Sequence, residues 1–300
     1  MIKKMSSFNI SENNVKIEIY LSKYLEQTVK LTGFERLPQS TREAPWKLNV
    51  SFDEKNKSYV LYLNQRRAEH DYTVLRAMEK ISIPTPRAYG WEPAGITLGI
   101  PCFFTDFIEG ESLLKSMLAR EKWAEDLYVD TVCRLQAVKR SELSDIDDLL
   151  SKGESALDIF KKGHTYFSEK PNPLAEEVYE VMKKSMPPFP EMRFSNGDLY
   201  PDNMIVFNER LNGVIDFETA GFSDPIFEFL LPFFLYPELC GRGIEEKYCR
   251  RMGFDPEWLH WYHGLEFYDT WRWTLQTGKS WEQHNSESLR KNLKEWLKGL

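Results

Sequence analysis

Between Asn13 and Thr32 the apolar residues recur at helical spacing. Val15, Ile17, Ile19, Tyr20, Leu21, Tyr24, Leu25 and Val29 fall on or near one face, which predicts a helix. The period then changes. Leu31–Leu37, Trp46–Phe52 and Ser58–Leu63 are short apolar and aromatic runs separated by turn material, and they read as strands. Asp53-Glu54-Lys55-Asn56-Lys57 is the polar hairpin turn between the second and third. A helix is expected over Arg66–Lys80 with Leu75 and Met78 inward; Pro84 and Pro86 end it and force extended chain. Arg87–Trp91 and Ile100–Phe107 are the next strands. From Leu113 the pattern becomes mainly helical, over Leu113–Arg120, Glu125–Lys139, Ala156–Phe167 and Ala175–Ser185. Short strands follow at Arg193-Phe194, Met204–Val206 and Gly213–Asp216, the last beyond a turn at Asn208–Asn212. From Asp224-Pro225 the chain is helical to its end and rich in aromatic residues.

Five strands with one helix, then a mainly helical second half, predict an α+β chain of two lobes. The joint falls near Phe107–Gly110, where both the period and the turn residues change. Residues 1–107 would form a small lobe with an antiparallel sheet, and residues 108–300 a larger helical lobe. A cleft between such lobes is where a nucleotide would sit.

Composition narrows the class. With 42% hydrophobic and 28% charged residues the chain is globular, and long disorder is not expected. A net charge of -7 argues against nucleic acid as a partner, because phosphate backbones are bound by basic patches. It agrees with a cationic small molecule, although solubility explains it equally well. Cys102, Cys133, Cys240 and Cys249 show neither CxxC nor Cys/His ligand spacing, so a reducing cytoplasm fits. Neither a signal peptide nor a membrane span is expected, since no apolar run is long enough.

The densest chemistry lies in Ser195-Asn196-Gly197-Asp198-Leu199-Tyr200-Pro201-Asp202-Asn203 and in Val214-Ile215-Asp216-Phe217-Glu218. Asp198, Asn203 five positions on, and Asp216 on the next apolar run are the three side chains that kinase chemistry needs. In that template the first Asp orients the proton of the attacking hydroxyl, while the Asn and the second Asp hold Mg²⁺ against nucleotide phosphates.

These residues resemble the aminoglycoside phosphotransferase and choline kinase-like branch of the protein-kinase-like fold, from about Leu31 to Phe234. The resemblance is carried by Ile83-Pro84-Thr85-Pro86-Arg87, Leu98-Gly99-Ile100-Pro101, Phe107-Ile108-Glu109-Gly110, Asn196-Gly197-Asp198-Leu199 with Asn203, Ile215-Asp216-Phe217-Glu218 and Asp224-Pro225. It implies transfer of the γ-phosphate of ATP or GTP to a hydroxyl of a small acceptor, such as an aminoglycoside-like compound or another metabolite. Asp198 would then be the catalytic base, with Asn203 and Asp216 the Mg²⁺ ligands. Thr105–Ile108 resembles the hinge that holds the base through the backbone of Asp106 and Ile108. Glu69 resembles the helix acid that pairs with a phosphate-binding cation.

Three positions depart from the pattern. Tyr62 stands where the family places Lys or Arg on the third strand, and a phenol carries no positive charge. Lys47 on the preceding strand is the first candidate to replace it, with Arg66 and Arg67 as alternatives. The phosphate loop, Leu37-Pro38-Gln39-Ser40-Thr41-Arg42-Glu43, lacks glycines, so Ser40, Thr41 or Arg42 would have to donate from side chains. Asn196 replaces the His that precedes Gly-Asp.

Several groups have a second reading. Asp224 before Pro225 reads as a helix cap. Glu218, Glu266 and Asp269 are candidates for acceptor binding. Trp258, Trp261, Tyr262, Phe267, Tyr268, Trp271, Trp273 and Trp281 could form a cation cage, but their spacing also suits a core-facing helix. His260, His263 and Glu266 lack the further ligands of a metal site. The alternative function is a pseudokinase-like binding module, suggested by Tyr62 and the glycine-poor loop.

Overall fold

Helix α1 (Asn14–Leu25) turns Ile17, Tyr20 and Leu21 inward, an i, i+3, i+4 stripe that is fully buried. The computed structural model describes residues 8–37, 45–52, 55–64 and 66–299. Val15 and Ile19, expected on the apolar face, are 68% and 57% exposed, so only part of that run faces the core. The helix is also shorter than its periodicity suggests. Glu26 adopts a left-handed conformation (φ 54°) that closes the last turn through an N–H bond to the Ser22 carbonyl.

The chain then forms β1 (Lys30–Arg36), β2 (Trp46–Phe52), β3 (Lys55–Leu63), α2 (Ala68–Met78), β4 (Ala88–Glu92) and β5 (Cys102–Asp106). The five strands make one antiparallel sheet in the order β1-β2-β3-β5-β4. Pairing of Lys47 with Val60 and of Asn49 with Ser58 sets the two faces. Leu48, Val50, Tyr59 and Leu61 share one face and join α1 in a single apolar cluster with Phe104. Lys47, Asn49, Ser58, Val60 and Tyr62 alternate onto the other face. Helix α2 packs against β4 and β5.

After Glu109 the elements are β6 (Glu111–Ser112), α3 (Leu113–Leu118), α4 (Lys122–Gln136), β7 (Ser151–Lys152), α5 (Ala156–Glu169), α6 (Pro173–Lys184), β8 (Arg193–Ser195), β9 (Met204–Phe207), β10 (Arg210–Val214), β11 (Gly221–Ser223), α7 (Pro225–Leu235), α8 (Ile244–Met252), α9 (Trp258–Thr277) and α10 (Ser286–Lys298). Capping is written into the sequence. Asn172 accepts from the Leu174 and Ala175 N–H groups ahead of Pro173, and Asn285 does the same for Glu287 and Ser288. Asp224 accepts from Ile226 and Phe227 at 3.1 Å, the expected cap of α7. The strand β11 lies between β7 and β8. The α+β class, with an antiparallel sheet followed by a mainly helical part, is thus present.

Backbone contacts divide the chain into two units. One runs to Glu109 and includes Asn212–Glu218; the other holds Gly110–Leu211 and the chain from Thr219 on. Strand β10 carries the chain from the second unit into the first, and the segment bearing Asp216 is counted with the sheet.

Most of the aromatic α9 is core. Trp261, Tyr262, Tyr268 and Trp271 are buried, and the rings of Trp261, Tyr268 and Trp271 pack on Phe160, Phe167 and Phe189. Among the described residues no helix is long and apolar enough to cross a membrane.

Candidate active site

In the second unit, the turn between β8 and β9 is built around Asp198. Gly197 has φ 80°, and a Cβ there would meet the Thr219 carbonyl oxygen at 2.4 Å, so the turn requires glycine. Asn196, 1% exposed, folds its amide over the turn: its Nδ2 donates to the Asp198 carbonyl at 3.0 Å and its Oδ1 accepts from the Asp198 N–H at 3.4 Å. Asn196 therefore does the scaffold work at the position before Gly-Asp. The Tyr128 hydroxyl holds the Leu199 carbonyl at 3.0 Å from within the core.

Asn203, on the single helical turn Pro201–Asn203, donates its Nδ2 to the Asp198 carboxylate at 2.8 Å and to the Asp198 carbonyl at 3.0 Å. Asp202 fixes that turn from outside, accepting from Ser112 Oγ at 2.7 Å and from the Tyr236 hydroxyl at 3.1 Å. With its nitrogen engaged, Asn203 has Oδ1 as the donor it would offer a cation.

Acidic groups gather on the helices of the same unit. Glu266 on α9 is 3% exposed, and its Oε2 has no hydrogen-bond partner among the described residues. Burial, reinforced by Asp269 and Glu228, pushes its carboxyl up to about 8. Glu228 on α7 is likewise raised by burial, and its Oε2 is also without a partner among the described residues. Asp269 instead pairs with the buried Arg272 at 2.8 Å. The Tyr200 phenol lies within reach of both Asp198 and Glu266: burial first, then these two charges, raise its pKa. His263 faces Glu245 at 2.7 Å and His260 stacks on Trp296, so the three groups of the i, i+3, i+6 set point to different partners.

In the first unit, Asp216 lies beyond the end of β10 rather than within a strand. Its φ is 62°, a left-handed conformation uncommon for a residue with a side chain. The next residue is anchored: Phe217 is fully buried and its N–H donates to the Asp71 carboxylate at 3.3 Å. Arg67, at the start of α2, donates to the Glu218 carbonyl at 3.4 Å. Glu218 itself is half-buried. Glu69 sits exposed in the first turn of α2, whereas Asp71 is 5% exposed.

Lys47 projects from β2 onto the face opposite α1. Its Nζ lies 3.0 Å from Glu35 Oε1 and 4.3 Å from the centre of the Phe107 ring. Tyr62 stacks flat on Phe103, with centroids 4.6 Å apart and 4° between the planes. Asp106 ends β5, where its carboxylate takes Lys57 at 2.6 Å and its N–H bonds the Arg87 carbonyl. Phe107 N–H bonds the Ser58 carbonyl, and the Ile108 N–H makes no hydrogen bond to another described residue. An open cavity of about 800 Å³ lies beside this segment, lined by Asn49, Ser58, Phe107, Ile108, Glu109 and Asn212 among others. Ser40, expected to donate to phosphate, lies outside the described residues.

Mg²⁺ takes oxygen ligands and is commonly held by one or two protein groups plus substrate phosphates, and each unit carries one candidate side chain of that chemistry. Asn203 offers an amide oxygen and Asp216 a carboxylate. The residue that sequence reading passed over is Asp71. Its signal was present: Asp71, Val74, Leu75 and Met78 form an i, i+3, i+4, i+7 buried stripe from which Glu69 is displaced.

A model of the phosphotransferase enzyme family matches residues 48–262, well over half of the chain. No curated protein matches it directly. Among solved structures it is similar to a putative aminoglycoside phosphotransferase from Ralstonia eutropha JMP134, at 13% identity over 95% of this chain and 98% of that one, with a TM-score of 0.63. It is similar also to aminoglycoside 2'-phosphotransferase-IIIa in its GDP complex (13% identity, 96% and 99% coverage, TM-score 0.62). Aminoglycoside phosphotransferase APH(4)-Ia matches at 14% identity, with 95% and 98% coverage and a TM-score of 0.62. A variant of that enzyme has been solved with ADP and hygromycin B.

Proposed function

Because the chain belongs to the phosphotransferase enzyme family, we propose that it is a small-molecule kinase. It transfers the γ-phosphate of ATP or GTP to a hydroxyl of a small acceptor in the cytoplasm. The observation that carries this reading is the direct bond from the Asn203 amide to the Asp198 carboxylate, which orients both groups of the Gly-Asp turn. Asp198 accepts or orients the proton of the acceptor hydroxyl. Asn203 and Asp216 hold Mg²⁺, which when bound neutralises phosphate charge. The backbone of Asp106 and Ile108 takes the base beside the 800 Å³ cavity. Phosphoryl transfer depends mainly on positioning and charge, so this short set of parts is sufficient.

The acceptor is proposed to be cationic. Buried Glu266 and half-buried Glu228, each with a buried carboxylate oxygen lacking a hydrogen bond among the described residues, gain most from a ligand that brings N–H donors and positive charge. Structural neighbours have been solved with GDP, and with ADP and hygromycin B, which supports a nucleotide and a small-molecule acceptor as ligands.

Thermal unfolding with ATP, GTP and ADP at millimolar concentration, with and without Mg²⁺, tests the reading. A ligand at about 100 times its dissociation constant stabilises by about 2.7 kcal/mol, a readily measured shift. A Mg²⁺-dependent shift that Asp216→Asn removes is the expected result. No shift with any nucleotide would favour the rival reading, a pseudokinase-like binding module, for which stacked, uncharged Tyr62 is the motive.

A further inference from the structure

The packing of α5 on α9 leaves a space beside α6. Gly163 lets the Tyr268 ring lie against α5, where a Cβ would meet it at 2.5 Å. One turn on, Phe167 packs on Tyr268 and Trp271, with centroids 5.1 and 5.0 Å away. A cavity of about 250 Å³ remains between these rings and α6. We propose that it binds a small organic ammonium ion carrying a ring-sized apolar body and a second polar group at the far end. The proposal does not depend on the kinase reading. Tyr268 and Glu266 are two residues apart on α9, about 200° around the helix, so the cavity lies on a different face from the acidic groups near Asp198.

Four observations carry it. Tyr268 lines the cavity and is fully buried, yet its hydroxyl has no hydrogen-bond partner among the described residues. Burial, and then the neighbouring Tyr179 phenol, raise its pKa, so it remains an O–H donor in need of an acceptor. The walls are aromatic and fixed by packing. Tyr179 stacks on His164 (3.7 Å, 10° between planes) and on Phe160 (5.0 Å, 13°). Such rings suit an apolar body, attract a cation through their quadrupole and lose little freedom on binding. The rim is acidic: Glu176 and Glu180 both line it. The Glu176 carboxylate pairs with no other described residue, and Glu180 meets Lys183 only loosely, at 3.9 Å between two half-exposed side chains. The volume equals that of about eight waters at roughly 30 Å³ each, which suits a ligand of one ring and a short chain.

Three probes separate these contributions: tyramine, phenethylamine, which lacks the phenol, and 4-(2-hydroxyethyl)phenol, which lacks the charge. Calorimetry at millimolar concentration measures each on the unmodified protein, Tyr268→Phe, the double variant Glu176→Gln with Glu180→Gln, and Ser168→Trp, whose indole fills the exposed rim. Tyramine should bind the unmodified protein most tightly. Tyr268→Phe should weaken tyramine fivefold or more and leave phenethylamine within twofold. The double variant should weaken both amines fivefold or more and leave the uncharged phenol within twofold. Ser168→Trp should abolish all three. The thermal midpoint of ligand-free Tyr268→Phe should match that of the unmodified protein, since the hydroxyl removed bonds no described residue. Absence of tyramine binding, binding that survives Ser168→Trp, equal losses of tyramine and phenethylamine in Tyr268→Phe, or a lowered midpoint in that variant overturns the proposal and leaves the kinase reading untouched.

Discussion

Asn203 donates its side-chain amide to the Asp198 carboxylate at 2.8 Å, so the proposed base and the proposed metal ligand are oriented by one shared hydrogen bond. Asp198→Ala should lower turnover by about 10²- to 10⁴-fold, the usual contribution of a positioned acid or base. Unfolding temperature should change little, since the side chain is only half-buried. Asn203→Asp makes a sharper test. It keeps an oxygen for the metal but sets a second carboxylate against Asp198, and two like charges at hydrogen-bond distance raise the pKa of one of them. The acidic limb of the pH–rate profile should therefore move to higher pH. A profile that stays in place would mean that Asp198 does not govern it.

Asp216 occupies its position at φ 62°, which separates charge from conformation as roles of this residue. Asn adopts the left-handed region readily, whereas a residue with an ordinary Cβ pays about 1–2 kcal/mol. Asp216→Asn should therefore leave denaturant stability within about 0.5 kcal/mol, the range of a neutral substitution. It should raise the Mg²⁺ concentration needed for half-maximal nucleotide binding at least tenfold. Asp216→Ala should lose both. Equal metal dependence in Asp216→Asn and the unmodified protein would remove Asp216 from the metal site.

Asp71 offers a contrast between two replacements. In Asp71→Ala the buried N–H of Phe217 loses its acceptor, at a cost of about 1–3 kcal/mol for an unsatisfied buried group. Asp71→Asn keeps an oxygen in reach of that N–H and should retain most of the stability. Urea unfolding of the two variants distinguishes them, and nucleotide affinity should fall with Asp71→Ala in parallel. Equal stability of the two would show that the bond to Phe217 contributes nothing.

What the sequence made legible follows from how many independent signals each element carried. Strand β2 was expected at Trp46–Phe52 and lies there, because its alternating pattern is bounded by turn residues at both ends. The Asp198 turn was legible from Gly-Asp and the spacing to Asn203. Helix α1 is less legible: apolar residues occur all round its circumference, so the period does not tell Ile17 from the exposed Ile19. The end of the strand before Asp216 is not legible, because Asp is compatible with several backbone conformations, and its left-handed φ accompanies a tertiary anchor at the next residue, Phe217. Glu69 and Asp71 differ by two residues, about 200° around a helix, and only the phase of Val74, Leu75 and Met78 separates them. The aromatic density of α9 is resolved by packing, since the same rings serve a core or a cage until their neighbours are known.

Glu266 links the acceptor proposal to a pH-dependent stability that can be read without any acceptor. Its carboxyl is pushed up to about 8, first by burial and then by Asp269 and Glu228, from about 4.3 in an unfolded chain. Between those values the folded state holds a proton that the unfolded state has released. Stability therefore falls as pH rises through that window and levels off above about 8. Glu266→Gln keeps the shape and removes the ionisation, so its stability relative to the unmodified protein should increase steadily from pH 5 to pH 8.5. Taking the difference between the two proteins cancels the titration of every other group that does not interact with Glu266. Urea unfolding at four pH values across the range measures it. A gap that does not change with pH, or one that narrows toward pH 8.5, would show that Glu266 is not held protonated in the fold.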